Sequence, residues 1–371
     1  MTEEKEPVQL ELSLQETVEI EEKPPQTDHL PQMVAPLLHW FEEHARILPW
    51  RNHPTAYRVW VSEIMLQQTR VEAVKPYFQR FLEALPTIQD LAEAKEQTLL
   101  KLWEGLGYYN RVRNMQKCAQ VVVEQYGGEL PADYEALLQL PGIGPYTAGA
   151  IASIAYGLPV PAVDGNVLRV VTRWTANGGD IMKQSVKNEI TKQVQAILPH
   201  PMTGAFNQAL MELGATVCLP NGAPLCDQCP VAAQCAAFRE NTMLQYPVKA
   251  AKKPRRVEER LVFLLHHKGK IALQKRPSKG LLADLWEFPQ KEGTPNEAQA
   301  VLETWGIEAK ALPLKTAKHI FTHIEWHMTG FWVEAEEEVA PFLWVTPTQL
   351  KQAYPLPSAF AAFEAELLRR C

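Results

Sequence analysis

Apolar residues recur at three- and four-residue intervals through the first two thirds of the chain. Trp60, Ile64, Gln67 and Val71 share one side at that spacing, so residues 58–68 read as a helix. The same periodicity, punctuated by Gly and Pro, predicts helices over 34–47, 70–84, 88–93, 96–104, 110–127, 133–139, 146–156, 165–174, 184–198 and 203–214. Beyond Cys235 a connector rich in Lys, Arg and Pro leads into a different texture. LVFLLHH (261–267), KIALQKR (270–276), HIFTHIEWHM (319–328) and GFWVEA (330–335) read as strands, with helices over 295–305 and 357–370. The fold class is therefore multidomain: an all-α domain over 31–240, a basic linker over 241–258 and a smaller α/β domain over 259–371.

Composition agrees with this division. The chain has 371 residues, 46% hydrophobic and 22% charged, which suits two soluble domains each with its own core. The first thirty residues are acidic, lack a long apolar run and contain Pro24-Pro25, which predicts a disordered tail and neither a secretory signal nor a mitochondrial presequence. The most apolar stretch, Ala148 to Val163, is broken by Gly157, Pro159 and Pro161 and does not read as a membrane span. A cytoplasmic, monomeric protein is expected. The net charge of −6 is uneven, because residues 1–30 hold nine acids and two bases while 31–256 hold 22 bases and 19 acids. Arg111, Arg113 and the cluster Lys249, Lys252, Lys253, Arg255 and Arg256 fit a polyanionic partner, and fit a solvated linker as well.

Cys218, Cys226, Cys229 and Cys235 form a C-x7-C-x2-C-x5-C array, apart from Cys118 and Cys371. Without a secretory signal, such clustering points to thiolate metal ligands over disulfides. Zinc and a [4Fe–4S] cluster both use four cysteines, and this spacing alone leaves the choice open.

In LPGIGPYTAGAIASIA (140–155) a short helix meets Pro141-Gly142-Ile143-Gly144 and a new helix follows near Tyr146. Gly142 and Gly144 allow a tight turn that presents amide groups to a phosphate, the pattern of a helix–hairpin–helix gripping a nucleic-acid backbone. An ordinary helical turn is the plainer alternative. Asp164 precedes the helix over 165–174 and is an obvious N-cap. Glu63, immediately before Ile64, Met65 and Leu66, would ordinarily hold its carboxylate in water. As a pair they suit N-glycosidic bond cleavage, which needs one protonated carboxyl and one ionised carboxylate. Desolvation would raise Glu63, and helix N-terminal amides would keep Asp164 charged.

With LPWR (48–51), VSEIMLQQTRV (61–71), GLGYYNRVRN (105–114), LPGIGPYTAGAI (140–151), VDGNVLRV (163–170) and the cysteine array in this order, residues 33–370 resemble the endonuclease III family of DNA glycosylases. The likeness is closest to its branch that removes adenine opposite 8-oxoguanine. It implies a helix-hairpin-helix glycosylase domain and a [4Fe–4S] cluster on Cys218, Cys226, Cys229 and Cys235, although the first gap of seven residues exceeds the family's usual six. It implies that Glu63 protonates adenine at N7, that Asp164 stabilises the sugar cation and that Asn166 holds the carboxylates. Tyr146 stands where bifunctional relatives carry a nucleophilic lysine, so lyase activity should be absent or feeble. Leu48, Trp50, Arg51 and Gln208 match the adenine pocket. Gln68, Thr69, Leu106 and Tyr108 match groups that probe or wedge the duplex, whose implied form is double-stranded DNA holding an A:8-oxoguanine or A:G mispair.

The second domain resembles the Nudix-like module found in that branch, through GLLADLWEFP (280–289) and HIFTHIEW (319–326). The usual phenylalanine–serine–histidine triplet that senses 8-oxoguanine reads here Phe321-Thr322-His323; a plain amphipathic strand would also account for the stretch. Residues 290–309 lack a REUxEE pattern, so nucleotide hydrolysis is not expected. Two other readings compete: a glycosylase-lyase acting on oxidised pyrimidines, and a non-catalytic iron–sulfur or zinc DNA-binding protein.

Overall fold

The structure, a computed structural model, describes residues 25–250 and 254–370. Residues 1–24, 251–253 and 371 lie outside it, and with them most of the expected acidic tail and Lys252 and Lys253 of the basic cluster. Where the chain enters, Gln26 already donates its backbone N–H to Thr175 O at 2.9 Å and the first helix starts at Leu30, earlier than its periodicity suggested.

Among the described residues twelve α-helices follow: α1 (Leu30–His44), α2 (Ala56–Leu66), α3 (Val71–Ala84), α4 (Ile88–Glu93), α5 (Glu96–Leu102), α6 (Asn110–Tyr126), α7 (Tyr134–Leu138), α8 (Pro145–Ala150), α9 (Gly165–Thr175), α10 (Gln184–Ala196), α11 (Thr203–Thr216) and α12 (Ala236–Arg239). They build two cores. One joins α2 to α8 around Trp60, Phe78, Phe81 and Trp103; the other joins α1 with α9 to α12 around Met33, Trp174 and Phe206. Eight of the eleven residues of α2 are buried, so a carboxylate on this helix is dehydrated whichever way it points inward. Thr55 caps its start by accepting from Arg58 N at 3.3 Å. The helix stops at Leu66 rather than 68, because Gln68 takes the left-handed conformation at φ +59° and turns the chain away. The helix expected over 146–156 is α8 continued by one π-helical turn, Ile151–Ala155.

Residues 243–248, expected as linker, pack on the helical domain: Arg173 Nε donates to Met243 O and Tyr246 O, and Ile181 N to Val248 O. The sheet comprises β1 (Arg256–His267), β2 (Lys270–Lys275), β3 (Trp286–Glu287), β4 (Gln290–Glu292), β5 (Leu312–Ile320), β6 (Ile324–Glu334) and β7 (Leu343–Val345), with α13 (Ala298–Thr304), α14 (Pro347–Ala353) and α15 (Ala361–Arg370). Its order is β3-β2-β1-β6-β5, β4 pairing β1 and β7 pairing β2; only β1 and β6 run parallel. Successive β1 residues alternate between two cores, Val262 and Leu264 against α15, Leu261, Phe263 and Leu265 against α13, which accounts for its continuous apolar run. The strand expected over 319–328 is broken: β5 ends at Ile320 and β6 begins at Ile324, leaving Phe321–His323 as the turn between them. The amphipathic-strand alternative for the triplet is therefore set aside.

The two units are packed together. Leu285, fully buried, belongs to the core of α2 to α8. Leu356 N donates to Glu104 Oε1 at 2.8 Å, and Gln97 Nε2 to Ala353 O at 2.6 Å.

Candidate active site

Where the two helical cores meet, α2, the start of α8, the start of α9 and α11 surround a cavity of about 760 Å³. Glu63, Tyr146, Asp164, Asn166, Leu48, Trp50, Arg51, Gln208, Gln68 and Thr69 all line it. Residues singled out from five separate stretches of sequence are thus brought to one place.

Glu63 is 6% exposed, which removes the reading of a surface charge. Its carboxyl is pushed up from 4.5 to about 7, chiefly by burial and further by the charge of Asp164; the Tyr146 hydroxyl, which donates to Glu63 Oε2, and Arg51 act against this. A carboxyl so placed keeps its proton near neutral pH. Burial also drives the Tyr146 phenol well above its ordinary value, so this side chain remains a hydroxyl. It contacts Met211 Sδ at 3.3 Å as well.

Asp164 is both cap and cavity residue. One oxygen accepts from Val167 N at 2.8 Å, the N-cap bond of α9, and the other from Asn166 Nδ2 at 2.7 Å. The donors expected to keep Asp164 charged are in place and favour its carboxylate together with Arg169, while burial, the largest influence, leaves the carboxyl above its ordinary value. Asn166 serves Asp164 alone; among the described residues no hydrogen bond joins it to Glu63. Its amide oxygen accepts from Arg169 Nη2 at 3.0 Å, and Arg169 Nε donates to Cys218 O at 2.8 Å.

The pocket wall holds an ion network that periodicity did not reveal. Glu212 on α11, 1% exposed, accepts from Arg46 Nε at 2.6 Å, Arg46 Nη2 at 2.9 Å and Arg51 Nη2 at 2.8 Å. Burial opposes ionisation, yet the bonds from Arg46 and Arg51 hold its carboxyl below the usual range. Arg51 also lies over the Phe41 ring at 5.1 Å. Leu48 and Trp50 are buried, whereas the side chain of Gln208, half-buried, bonds among the described residues only Gly204 O of its own helix, at 3.3 Å. Lys187 and Lys249 also face the cavity.

A second cavity, about 700 Å³, lies between the domains. Leu106, Tyr108, Gly142, Phe321, Thr322 and His323 line it. Tyr108 is 49% exposed; its hydroxyl donates to Gln68 Oε1 and lies 3.4 Å from Thr322 Oγ1. Thr69 Oγ1 turns back onto Gln67 O at 3.4 Å. Phe321 packs edge-on to Trp326 at 4.9 Å, and Arg255 Nε donates to its carbonyl at 3.1 Å, leaving Thr322 and His323 exposed at the tip. In the hairpin only Gly142 needs its lack of a side chain: φ is +77° and a Cβ would come within 2.9 Å of Asn114. Gly144, at φ −98°, is the N-cap of α8 with Pro145 following.

Cys218, Cys226, Cys229 and Cys235 line one small cavity with Trp174, Val217 and Phe238, and Arg173 Nη1 donates to Cys218 Sγ at 3.2 Å. Among the described residues no group of three or more His, Cys, Asp or Glu is placed to hold a metal ion. Four cysteines on one cavity are a donor set that suits a metal centre. No described helix is long and apolar enough to cross a membrane.

Residues 61–196 match the family model of HhH-GPD superfamily base excision DNA repair proteins, and residues 261–365 match that of the NUDIX domain. The chain is 39% identical to the human adenine DNA glycosylase over 78% of its length and 64% of the human protein. It is 32% identical to the adenine DNA glycosylase of Buchnera aphidicola subsp. Schizaphis graminum, over 79% of its length and 84% of that protein. Among solved structures, a thermostable thymine-DNA glycosylase superposes with TM-score 0.51 at 26% identity, over 57% of this chain and all of its own. Endonuclease III trapped on DNA gives 0.50 at 25%, over 58% and 98%. With this fold, this cavity and these relatives, the chain belongs to the adenine DNA glycosylases of the helix–hairpin–helix base excision repair superfamily.

Proposed function

We propose that the protein removes adenine from A:8-oxoguanine and A:G pairs in double-stranded DNA by hydrolysing the N-glycosidic bond. The observation that carries this reading is a buried Glu63, its carboxyl pushed up to about 7, sharing with Asp164 one cavity large enough for an extruded base. Glu63 donates its proton to adenine N7. The C1′–N9 bond then breaks with its electron pair going to the base. The resulting oxocarbenium ion lies against Asp164, and its positive charge favours the ionised carboxylate. Water adds to C1′ and returns a proton to the Glu63 carboxylate. Tyr146 steers Glu63 through its hydroxyl and offers no amine, so the product remains an abasic site without Schiff-base chemistry.

Leu48, Trp50, Arg51 and Gln208 form the walls that receive adenine. Gln68, Thr69, Leu106 and Tyr108 occupy the duplex near the lesion, helping to offset the few kcal/mol of lost stacking, and the hairpin at Gly142 and Gly144 grips the backbone. Phe321, Thr322 and His323 read the opposite 8-oxoguanine. Threonine retains the triplet's hydroxyl, and its closeness to Tyr108 supports a shared reading surface. Cys218, Cys226, Cys229 and Cys235 would hold a [4Fe–4S] cluster, which supplies a fixed, electron-rich anchor for the loop; iron content and visible absorption of the purified protein test this. A soluble monomer acting in the cytoplasm follows from the same reading. Single-turnover excision on matched A:8-oxoguanine, A:G and A:T duplexes tests the whole. Adenine release that ignores the opposite base, or a borohydride-trapped covalent complex, overturns it.

A further inference from the structure

Arg111, in the first turn of α6, is absent from the chemistry above, yet its guanidinium sits between the two parts that the reaction needs in register. Nη1 donates to three carbonyls at the end of α2: Ile64 O at 2.7 Å, Met65 O at 3.3 Å and Gln67 O at 2.7 Å. Nη2 donates to Leu106 O and Gly107 O, both at 3.1 Å, in the loop before α6. The same group lies 5.3 Å from the centres of both the Trp103 and Tyr108 rings. Its charge therefore complements the negative end of the helix that carries Glu63 while holding the loop that carries Leu106 and Tyr108.

Two further observations show that this junction must be held. Gln68 and Tyr108, which meet through the Tyr108 hydroxyl, are both left-handed without being glycine, at φ +59° and +49°. Such conformations persist only where surrounding contacts over-determine them, and they concentrate at ligand clamps. Arg111 supplies contacts immediately before both residues, to Gln67 O and Gly107 O. A lysine could not do this, since one ammonium lacks the planar fork that reaches both carbonyl sets.

We infer that Arg111 is a positioning residue that locks the duplex-reading loop to the catalytic helix, and so makes excision depend on the base opposite adenine. This rests on the proposed adenine–8-oxoguanine activity. Were Arg111 only a folding element, its loss would lower every rate alike. As a lock, its loss acts first on the substrate whose opposite base is read through Tyr108, Gln68 and Thr322.

The test is single-turnover excision by Arg111→Met and Arg111→Lys on A:8-oxoguanine and A:G duplexes, with thermal unfolding measured alongside. The expected result for Arg111→Met is a fall of about 10²-fold on A:8-oxoguanine, the loss that a displacement of roughly 1 Å produces, with a much smaller fall on A:G. The preference for 8-oxoguanine thus collapses, and Arg111→Lys lies between. If Arg111→Met does not fold, Arg111→Lys carries the same comparison. Equal losses on both duplexes, or an unchanged preference, overturn the inference while leaving the proposed function intact. A wild-type enzyme that excises adenine equally from both duplexes overturns the inference alone, and one that excises it from neither overturns both.

Discussion

Replacing Glu63 by Gln should abolish adenine release and, at the same time, stabilise the protein at alkaline pH. The two effects have one origin. Glu63 is pushed from 4.5 to about 7 in the folded chain, chiefly by burial. Between these values the folded protein retains a proton that the unfolded chain has released, so the native state binds more protons and stability falls as pH rises. At about 1.4 kcal/mol per pH unit, Glu63 removes roughly 2 kcal/mol of stability between pH 5 and pH 8. Glutamine has no proton to lose, and its amide oxygen can still accept from the Tyr146 hydroxyl. The stability advantage of Glu63→Gln over wild type should therefore grow by about 2 kcal/mol between pH 5 and pH 8. Chemical denaturation at the two pH values reads this, and single-turnover kinetics reads the loss of chemistry. Undiminished turnover would refute the assignment of the acid. A stability difference that does not change with pH would refute the electrostatic account.

Three other outcomes follow from the same geometry. The single-turnover rate should decline about tenfold per pH unit above pH ~7 as Glu63 ionises, since only the protonated acid can act; a rate that is level from pH 6 to 9 would contradict this. Asp164→Asn should lose most of its activity while unfolding changes by less than about 1 kcal/mol, because asparagine is an equally good N-cap; a large loss of stability would mean that the carboxylate charge holds the fold together. Glu212→Ala should destabilise by about 3 to 5 kcal/mol, since it strands Arg46 and Arg51 beside a buried hole, and a neutral effect by calorimetry would show that water replaces the carboxylate freely.

The parts legible in the sequence were those governed by local rules. The spacing of Trp60 and Ile64 was enough for α2, and the glycine at 142 was enough for the hairpin turn. Gln68 was not legible as the turn that ends the helix, because a left-handed glutamine is held there by tertiary contacts and carries no local signal. Strand β5 is not legible in the sequence for another reason. As an edge strand it leaves Lys315, Lys318 and Ile320 exposed, so the alternation of a half-buried strand never forms. Glu212 looks like any helical glutamate until Arg46 and Arg51, more than 160 positions away in sequence, are brought against it. Asp164 shows the limit most clearly: its donors were foreseeable from the cap position, but the burial that outweighs them belongs to the assembled cavity.

Leu285 has a consequence for how this molecule can be divided. It comes from the sheet domain, yet it is fully buried in the same apolar core as Trp60, Phe78 and Trp103. A protease cut in the short stretch between Val248 and β1 would sever the covalent connection without separating the halves, since the helical half would have to expose that core to let Leu285 go. Gene fragments ending at that stretch would give a helical domain with a hydrophobic vacancy on its surface, prone to self-association. The two domains match separate family models, but in this chain one apolar core closes over residues of both.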